Sequence, residues 1–167
     1  MSNPLVLKDV LNHQDFYKIL NFFTDFKTPW YFQEKMIPNS KNDDRGFFSH
    51  YIFRDNRIDS PAFDLIYPLF EKLNVGPLVQ IRANFVTRSD NPYECVFHND
   101  CNYTDAKTAI FYLTSSNGYT QFDNEEKTKI YCESNKVIVF DCKLKHKMVS
   151  QTDVNKRLLI NLNYFEK

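Results

Sequence analysis

The chain carries no net charge: 21 basic and 21 acidic residues cancel, and no long run of one sign breaks the mixture. That leaves no electrostatic case for non-specific nucleic-acid binding, which needs Lys and Arg clustered against phosphate. No apolar run approaches the ~18 residues of a membrane-spanning helix. The first apolar stretch is broken by Lys8 and Asp9 and lacks a cleavage-site pattern, so a signal peptide is not expected and a cytoplasmic location is. The four cysteines, Cys95, Cys101, Cys132 and Cys142, have no CxxC spacing. In a reducing compartment they read as free thiols rather than a disulfide framework. Glycine is scarce, at three residues. Internal repeats, low-complexity tracts and an evident linker are all missing, which points to one domain over residues 1–167.

What the chain has is apolar and aromatic mass. Apolar residues make up 43% of it and Phe, Tyr and Trp 16%, enough for a packed, mainly β core. The pattern divides into a helical front, 1–77, and a stranded core, 78–167. In the front, Asn12 followed by Asp15 reads as a helix start, and Phe16, Ile19, Leu20 and Phe23 recur at helical spacing. Pro29-Trp30-Tyr31-Phe32 ends that element. Residues 33–59 read as irregular, with 39–44 a solvated loop. A second helix starts at Ser60-Pro61, carries Phe63, Ile66, Tyr67, Phe70 and Leu73, and should kink at Pro68.

From Leu78 the period changes to two. Strands are expected at 79–86, 93–98, 107–114, 119–122, 129–132, 136–141, 146–149 and 157–165. Asn117-Gly118 is a strong hairpin signal; 124–126 and 133–135 are weaker turns. About eight short strands with such punctuation favour a double-sheet jelly roll. Strand phase adds to this. Thr108, Ile110 and Tyr112 share one face. In the last strand Arg157, Leu159, Asn161 and Asn163 share one, and the apolar Leu158, Ile160, Leu162 and Tyr164 the other. Such a strand fits a sheet with helices outside and a site inside.

The chemistry lies in His98, Asp100 and His146, with Arg157 downstream. A short His-x-Asp plus one distant His is the ligand set of the 2-His-1-carboxylate facial triad, which holds a non-haem Fe(II) and leaves positions open. In a strand, residues i and i+2 project from one face, so His98 and Asp100 can chelate a single ion. Between His146 and Arg157 lies a polar run, 150–155, that reads as a hairpin turn. The two would then be cross-strand neighbours, with Cβ atoms ~5 Å apart, and a metal ligand and a fixed cation for a dicarboxylic co-substrate would face one cavity.

The order Phe97-His98-Asn99-Asp100, Thr108 to Leu113, Asn117 to Phe122, Val137 to Phe140, His146 and Arg157 to Phe165 resembles the catalytic core of prolyl 4-hydroxylase-like 2-oxoglutarate/Fe(II) oxygenases. It looks most like the small stand-alone members encoded by tailed phages, for which the location would be the host cytoplasm. The resemblance covers residues ~78–165 and implies a double-stranded β-helix, a jelly roll with its metal in one mouth. It implies His98, Asp100 and His146 as iron ligands. It implies Arg157 as the partner of the far carboxylate of 2-oxoglutarate, with Tyr112, Thr108, Asn84 and Asn161 as further co-substrate contacts. Many relatives carry a double glycine where this chain has Asn117-Gly118.

By that resemblance the cofactors are Fe(II), 2-oxoglutarate and O2, with ascorbate as a reductant. The reaction would hydroxylate a C–H bond and release succinate and CO2. The substrate could be a protein, a peptide side chain such as proline, or a small molecule. Two other readings stand beside it. One is a jelly-roll binding module without catalysis. The other is a cupin-like metalloenzyme that does not use 2-oxoglutarate, and Arg157 discriminates between it and the oxygenase. Among the remaining polar residues, His13 reads as a surface helix residue and His50 as structural. Asn163, like Asn161, reads equally as a site residue or as a partner for backbone groups. Arg82 and Arg88 read as anion binders or sheet-edge residues, and Cys95 and Cys101 as small buried side chains.

Overall fold

The computed structural model describes residues 3–37 and 45–167, and elements are counted among those. The loop expected at 39–44 lies outside them. In chain order the strands are β1 (Leu5–Leu7), β2 (Tyr31–Gln33), β3 (Phe47–Arg54), β4 (Arg57–Ile58), β5 (Val75–Thr87), β6 (Ala106–Tyr112), β7 (Tyr119–Phe122), β8 (Lys129–Tyr131), β9 (Lys136–Asp141), β10 (His146–Val149) and β11 (Lys156–Glu166). The helices are α1 (His13–Thr24), α2 (Ala62–Leu65) and α3 (Tyr67–Lys72). The larger antiparallel sheet runs β1-β9-β6-β11-β5-β3-β2, with β4 on β3; the smaller runs β10-β7-β8. The architecture is mainly β and fits a jelly roll. No helix among the described residues is long and apolar enough to cross a membrane.

Local chemistry accounts for the helices. Asn12 Oδ1 accepts from the Asp15 backbone N–H at 2.9 Å, satisfying a free first-turn donor of α1. Ser60 Oγ accepts from the Ala62 N–H at the start of α2. Pro68 sits in the first turn of α3, where its missing N–H does no harm. The helix expected to kink there is therefore broken into two.

Strand phase sorts the side chains into two cores. The apolar face of β11, with Phe111 and Ala109 of β6, packs under α1 and α3 against Phe16, Ile19, Phe23, Leu69 and Phe70. The opposite face contributes Leu159, Ile110 and Tyr112 to a second cluster with Phe122 and Ile130 of the smaller sheet. The half-polar face of β11 is thus the inner one.

Three expectations are corrected. Residues 93–98 form no strand: only Glu94 and His98 make bridges, to Val149 and His146. Four steps on one side face three on the other, and the extra residue bulges the segment out of register. Residues 33–59 are not irregular, since β3 runs through them. Both of its faces are largely covered, with Phe47, Ser49, His50 and Ile52 all buried, so no clean alternation shows in the sequence. The run 150–155 is not a hairpin. β10 pairs with β7, and β11 with β5 and β6, so the run crosses from one sheet to the other.

The Asn117-Gly118 signal fails in the same way, because β6 and β7 belong to different sheets. Gly118 has no positive φ and serves close approach instead. A Cβ there would sit 3.0 Å from the Gln151 backbone N, 3.1 Å from Val149 O and 3.2 Å from Arg157 Nη1. Gly118→Ala is therefore expected to push the Arg157 guanidinium off its anchor. The loss of about one hydrogen bond corresponds to roughly 0.5–1.5 kcal/mol, or about two- to twelvefold in the affinity of an anion bound by Arg157. Titration of 2-oxoglutarate into the variant reads this directly.

Candidate metal centre

His98 and His146 are placed by the bridge between their backbones. His98 N donates to His146 O at 3.0 Å and His146 N to His98 O at 2.8 Å. The cross-strand neighbours of His146 are thus the other histidine and Phe122 of β7, not Arg157. The two imidazole centroids are 4.6 Å apart. Asp100 lies two residues on, where the chain bends, and its carboxylate turns back between the rings. Asp100 Oδ1 is 3.7 Å from His98 Nε2, and Oδ2 is 3.7 Å from His146 Nε2. One donor atom from each of the three lies within 4.8 Å of the others, within reach of a single ion.

The surroundings of the three ligands test their fit to such an ion. His98 Nδ1 lies 3.2 Å from Val96 O and His146 Nδ1 3.2 Å from Leu144 O. A proton on each Nδ1 satisfies those carbonyls and leaves each Nε2 lone pair facing Asp100. Fixing the far nitrogen in this way is what orients a metal-binding histidine. Asn161 Nδ2 donates to Asp100 Oδ2 at 3.0 Å and holds the carboxylate. Phe140 and Phe122 flank the His146 ring at 4.8 and 6.0 Å and keep water from it.

Electrostatics favour the protonation states that a divalent cation needs. Burial, and then the neighbouring His146, lower the pKa of His98 below that of an ordinary imidazole, despite Asp100. Burial alone would raise the Asp100 carboxyl. The two imidazoles, the Asn161 amide and Arg82 outweigh it and hold the carboxyl below the usual carboxylate range. Both shifts favour the forms that bind a cation, the unprotonated imidazole of His98 and the ionised carboxylate of Asp100.

A cavity of about 70 Å³ opens on these three residues, and Arg157, Arg82, Asn84 and Asn161 line it with them. Arg157 is 1% exposed. Its Nη1 donates to Val149 O at 3.0 Å, its guanidinium stands 5.7 Å from the Tyr112 ring centre, and its Nε is buried without a partner. No carboxylate pairs with it among the described residues. The Tyr112 hydroxyl is a second hydrogen-bonding partner, but a buried guanidinium with no carboxylate is still a costly arrangement, and its Nε–H is left free.

The other expected contacts divide. Asn84 and Asn161 are on the cavity wall, and Asn84 Oδ1 is buried without a partner. Tyr112 and Thr108 stand outside the wall. Tyr112 Oη is 2.7 Å from Thr120 Oγ1, and it is Thr120 that reaches the cavity. Burial raises the Tyr112 pKa, so its hydroxyl stays protonated. The Thr108 hydroxyl donates to Asn163 Oδ1, which places both inside the sheet. Thr120 and Met148 also line the cavity, and sequence reasoning missed them. Their signal was there: Thr120 shares a face with Phe122, and Met148 with His146.

His13 is exposed. His50 is buried, with its ring nitrogens on Pro29 O and Ser60 Oγ, and ties the front segment to β3. Arg88 is exposed. None of the four cysteines forms a disulfide.

The chain matches no protein-family model and no curated protein. Solved structures do match it. One is an oxidoreductase of the 2OG-Fe(II) oxygenase family from Burkholderia pseudomallei (TM-score 0.73, 12% identity, 96% of this chain and 84% of that one). A second is a prolyl hydroxylase from Trichoplax adhaerens in complex with a hypoxia inducible factor oxygen degradation domain peptide fragment (0.65, 16%, 98% and 83%). A third is a prolyl-4-hydroxylase from Pseudomonas putida (0.63, 13%, 98% and 92%). The chain shares its fold, over nearly its whole length, with solved 2OG-Fe(II) oxygenases and prolyl hydroxylases.

Proposed function

We propose that this chain is a 2-oxoglutarate- and Fe(II)-dependent oxygenase that hydroxylates a C–H bond. The observation that carries the reading is the buried guanidinium of Arg157, without a carboxylate partner among the described residues, in the same cavity as His98, Asp100 and His146. A metalloenzyme with no anionic co-substrate has no use for that charge. A silent binding module has no use for three convergent ligands.

His98, Asp100 and His146 would hold Fe(II). With 2-oxoglutarate and O2, that centre would supply the oxidising power for hydroxylation, with succinate and CO2 as co-products. The protein contributes positioning, dryness and charge. The Nδ1 contacts fix the imidazoles and Asn161 fixes the carboxylate. Arg157 receives the far carboxylate of 2-oxoglutarate through a charge-assisted pair, and the Thr120 hydroxyl, backed by Tyr112, lines that end. The acceptor C–H belongs to a peptide side chain such as proline or to a small molecule. The peptide-bound prolyl hydroxylase of the same fold supports the former. Ascorbate serves as the reductant in an assay.

Under anaerobic conditions, Fe(II) and 2-oxoglutarate together are expected to give a weak visible charge-transfer absorption that neither gives alone. A metal site that ignores 2-oxoglutarate would show none, and the reading would be lost.

A further inference from the structure

The cavity has a second guanidinium that the triad and Arg157 leave unexplained. Arg82 lines it, from the inner face of β5. Its guanidinium carbon stands 5.2 Å from the Phe47 ring centre and 5.9 Å from that of Tyr51, so two rings of β3 hold the side chain. Its Nε is buried without a partner, and no carboxylate forms an ion pair with it among the described residues. A guanidinium braced by rings, with free donors, is a preformed receptor for a planar oxyanion.

Its position separates it from Arg157. In the β5–β11 ladder, Arg82 pairs with Asn161, the residue whose amide holds Asp100, whereas Arg157 pairs with Val86. Four residues of strand span about 13 Å at roughly 3.3 Å each. The two arginines therefore leave the sheet about 13 Å apart, and Arg82 is the one whose charge acts on both His98 and Asp100. A co-substrate held by Arg157 does not also need Arg82.

Charge points the same way. Histidines aside, the charged side chains on the wall among the described residues are Arg82, Arg157 and Asp100. A divalent ion and a dianionic co-substrate offset each other, and the wall keeps one positive charge in excess. One carboxylate on the substrate cancels it.

We infer that Arg82 is a substrate-binding residue that receives a carboxylate of the substrate, so that the C–H bond presented to the triad lies close to that carboxylate. The inference rests on the oxygenase reading above. The carboxylate has two sources, the α-carboxylate of a free acid or an Asp or Glu side chain in a peptide, and the test separates them.

The protein is loaded with Mn(II) and saturated with 2-oxoglutarate. Two sets of probes are then titrated by calorimetry: the free L-amino acids against their carboxamides, and N-acetyl, C-amidated Asp and Glu against the Asn and Gln equivalents. At least one acid is expected to bind about tenfold or more tightly than its amide. Preference within the first set assigns a free acid, and within the second an acidic peptide. Arg82→Gln should abolish the preference, Arg82→Lys should keep part of it, and neither should change the affinity for 2-oxoglutarate. The assignment is overturned if no acid is preferred, if the preference survives in Arg82→Gln, or if Arg82→Gln weakens 2-oxoglutarate binding. Failure of the wild-type protein to bind 2-oxoglutarate would instead sink the oxygenase reading. The acid-over-amide preference would then be read in metal-free Arg157→Met protein and compared with the Arg157→Met, Arg82→Gln double variant, in which it should vanish.

Discussion

His146→Ala is expected to abolish metal binding while the fold persists. Loss of a partner that merely orients a ligand already weakens metal affinity about 10–100-fold, so loss of a ligand should exceed the upper figure. The remaining pair, His98 and Asp100, is a two-point chelate with one edge open to water. The backbone bridge between positions 98 and 146 uses only main-chain atoms and survives truncation of the ring. The wild-type protein should gain about 2.7 kcal/mol of stability at a metal concentration a hundred times Kd. That gain should vanish in the variant. Melting with and without Mn(II), alongside far-UV circular dichroism, checks both halves. A variant that still gains stability from Mn(II) would show that the ion sits elsewhere.

Arg157 should behave in the opposite way with respect to stability. Arg157→Ala is expected to weaken 2-oxoglutarate by at least about tenfold, since each charge-assisted hydrogen bond contributes about 1.5–3 kcal/mol. Metal affinity should stay near that of the wild type. Arg157→Lys should fall between, because an ammonium keeps the charge and loses the fork. In the co-substrate-free protein, however, the guanidinium is a buried charge with no carboxylate partner among the described residues, held by Val149 O and the Tyr112 hydroxyl. Replacing such a group by an apolar side chain of similar length often stabilises a fold by about 1–4 kcal/mol. Arg157→Met is therefore expected to raise the unfolding temperature while losing 2-oxoglutarate. Calorimetry and melting of the same preparation decide the matter. A 2-oxoglutarate affinity unchanged in Arg157→Ala would move the carboxylate to another cation, with Arg82 next in line.

The residue types of the candidate site were legible in the sequence because a β-like chain reports its faces locally. His98 and Asp100 were found by their residue types and spacing, although a bend at Asp100 and not a strand brings them together. Period two separates Arg157, Leu159 and Asn161 from Leu158, Ile160 and Leu162. Helix α1 was equally local, written in Asn12, Asp15 and a 3.6-residue repeat. The missed elements all depended on something distant. β3 was hidden because covers on both faces erase alternation. The segment 93–98 was read as a strand because a bulge leaves no mark in composition.

Partner choice is what only the tertiary structure decided. Period two says which side chains share a face but not which strand that face will meet. Strand pairing is set by sheet packing across residues far apart in the chain. Two turn-like runs, Asn117-Gly118 and 150–155, therefore read as hairpins and proved to be crossovers between sheets. Their tight approach, not a turn conformation, is why Gly118 lies against Arg157. The same non-local choice set His146 opposite His98 rather than Arg157. It buried Tyr112 behind Thr120, and it left Arg82 in the cavity beside Asn161 while Arg88, six residues on, stayed at the surface. By itself the sequence determined the residue types of the candidate triad and the sidedness of the strands around it. The assembly of two sheets determined which of those groups share one cavity, because a shared cavity is a relation between strands that no single strand encodes.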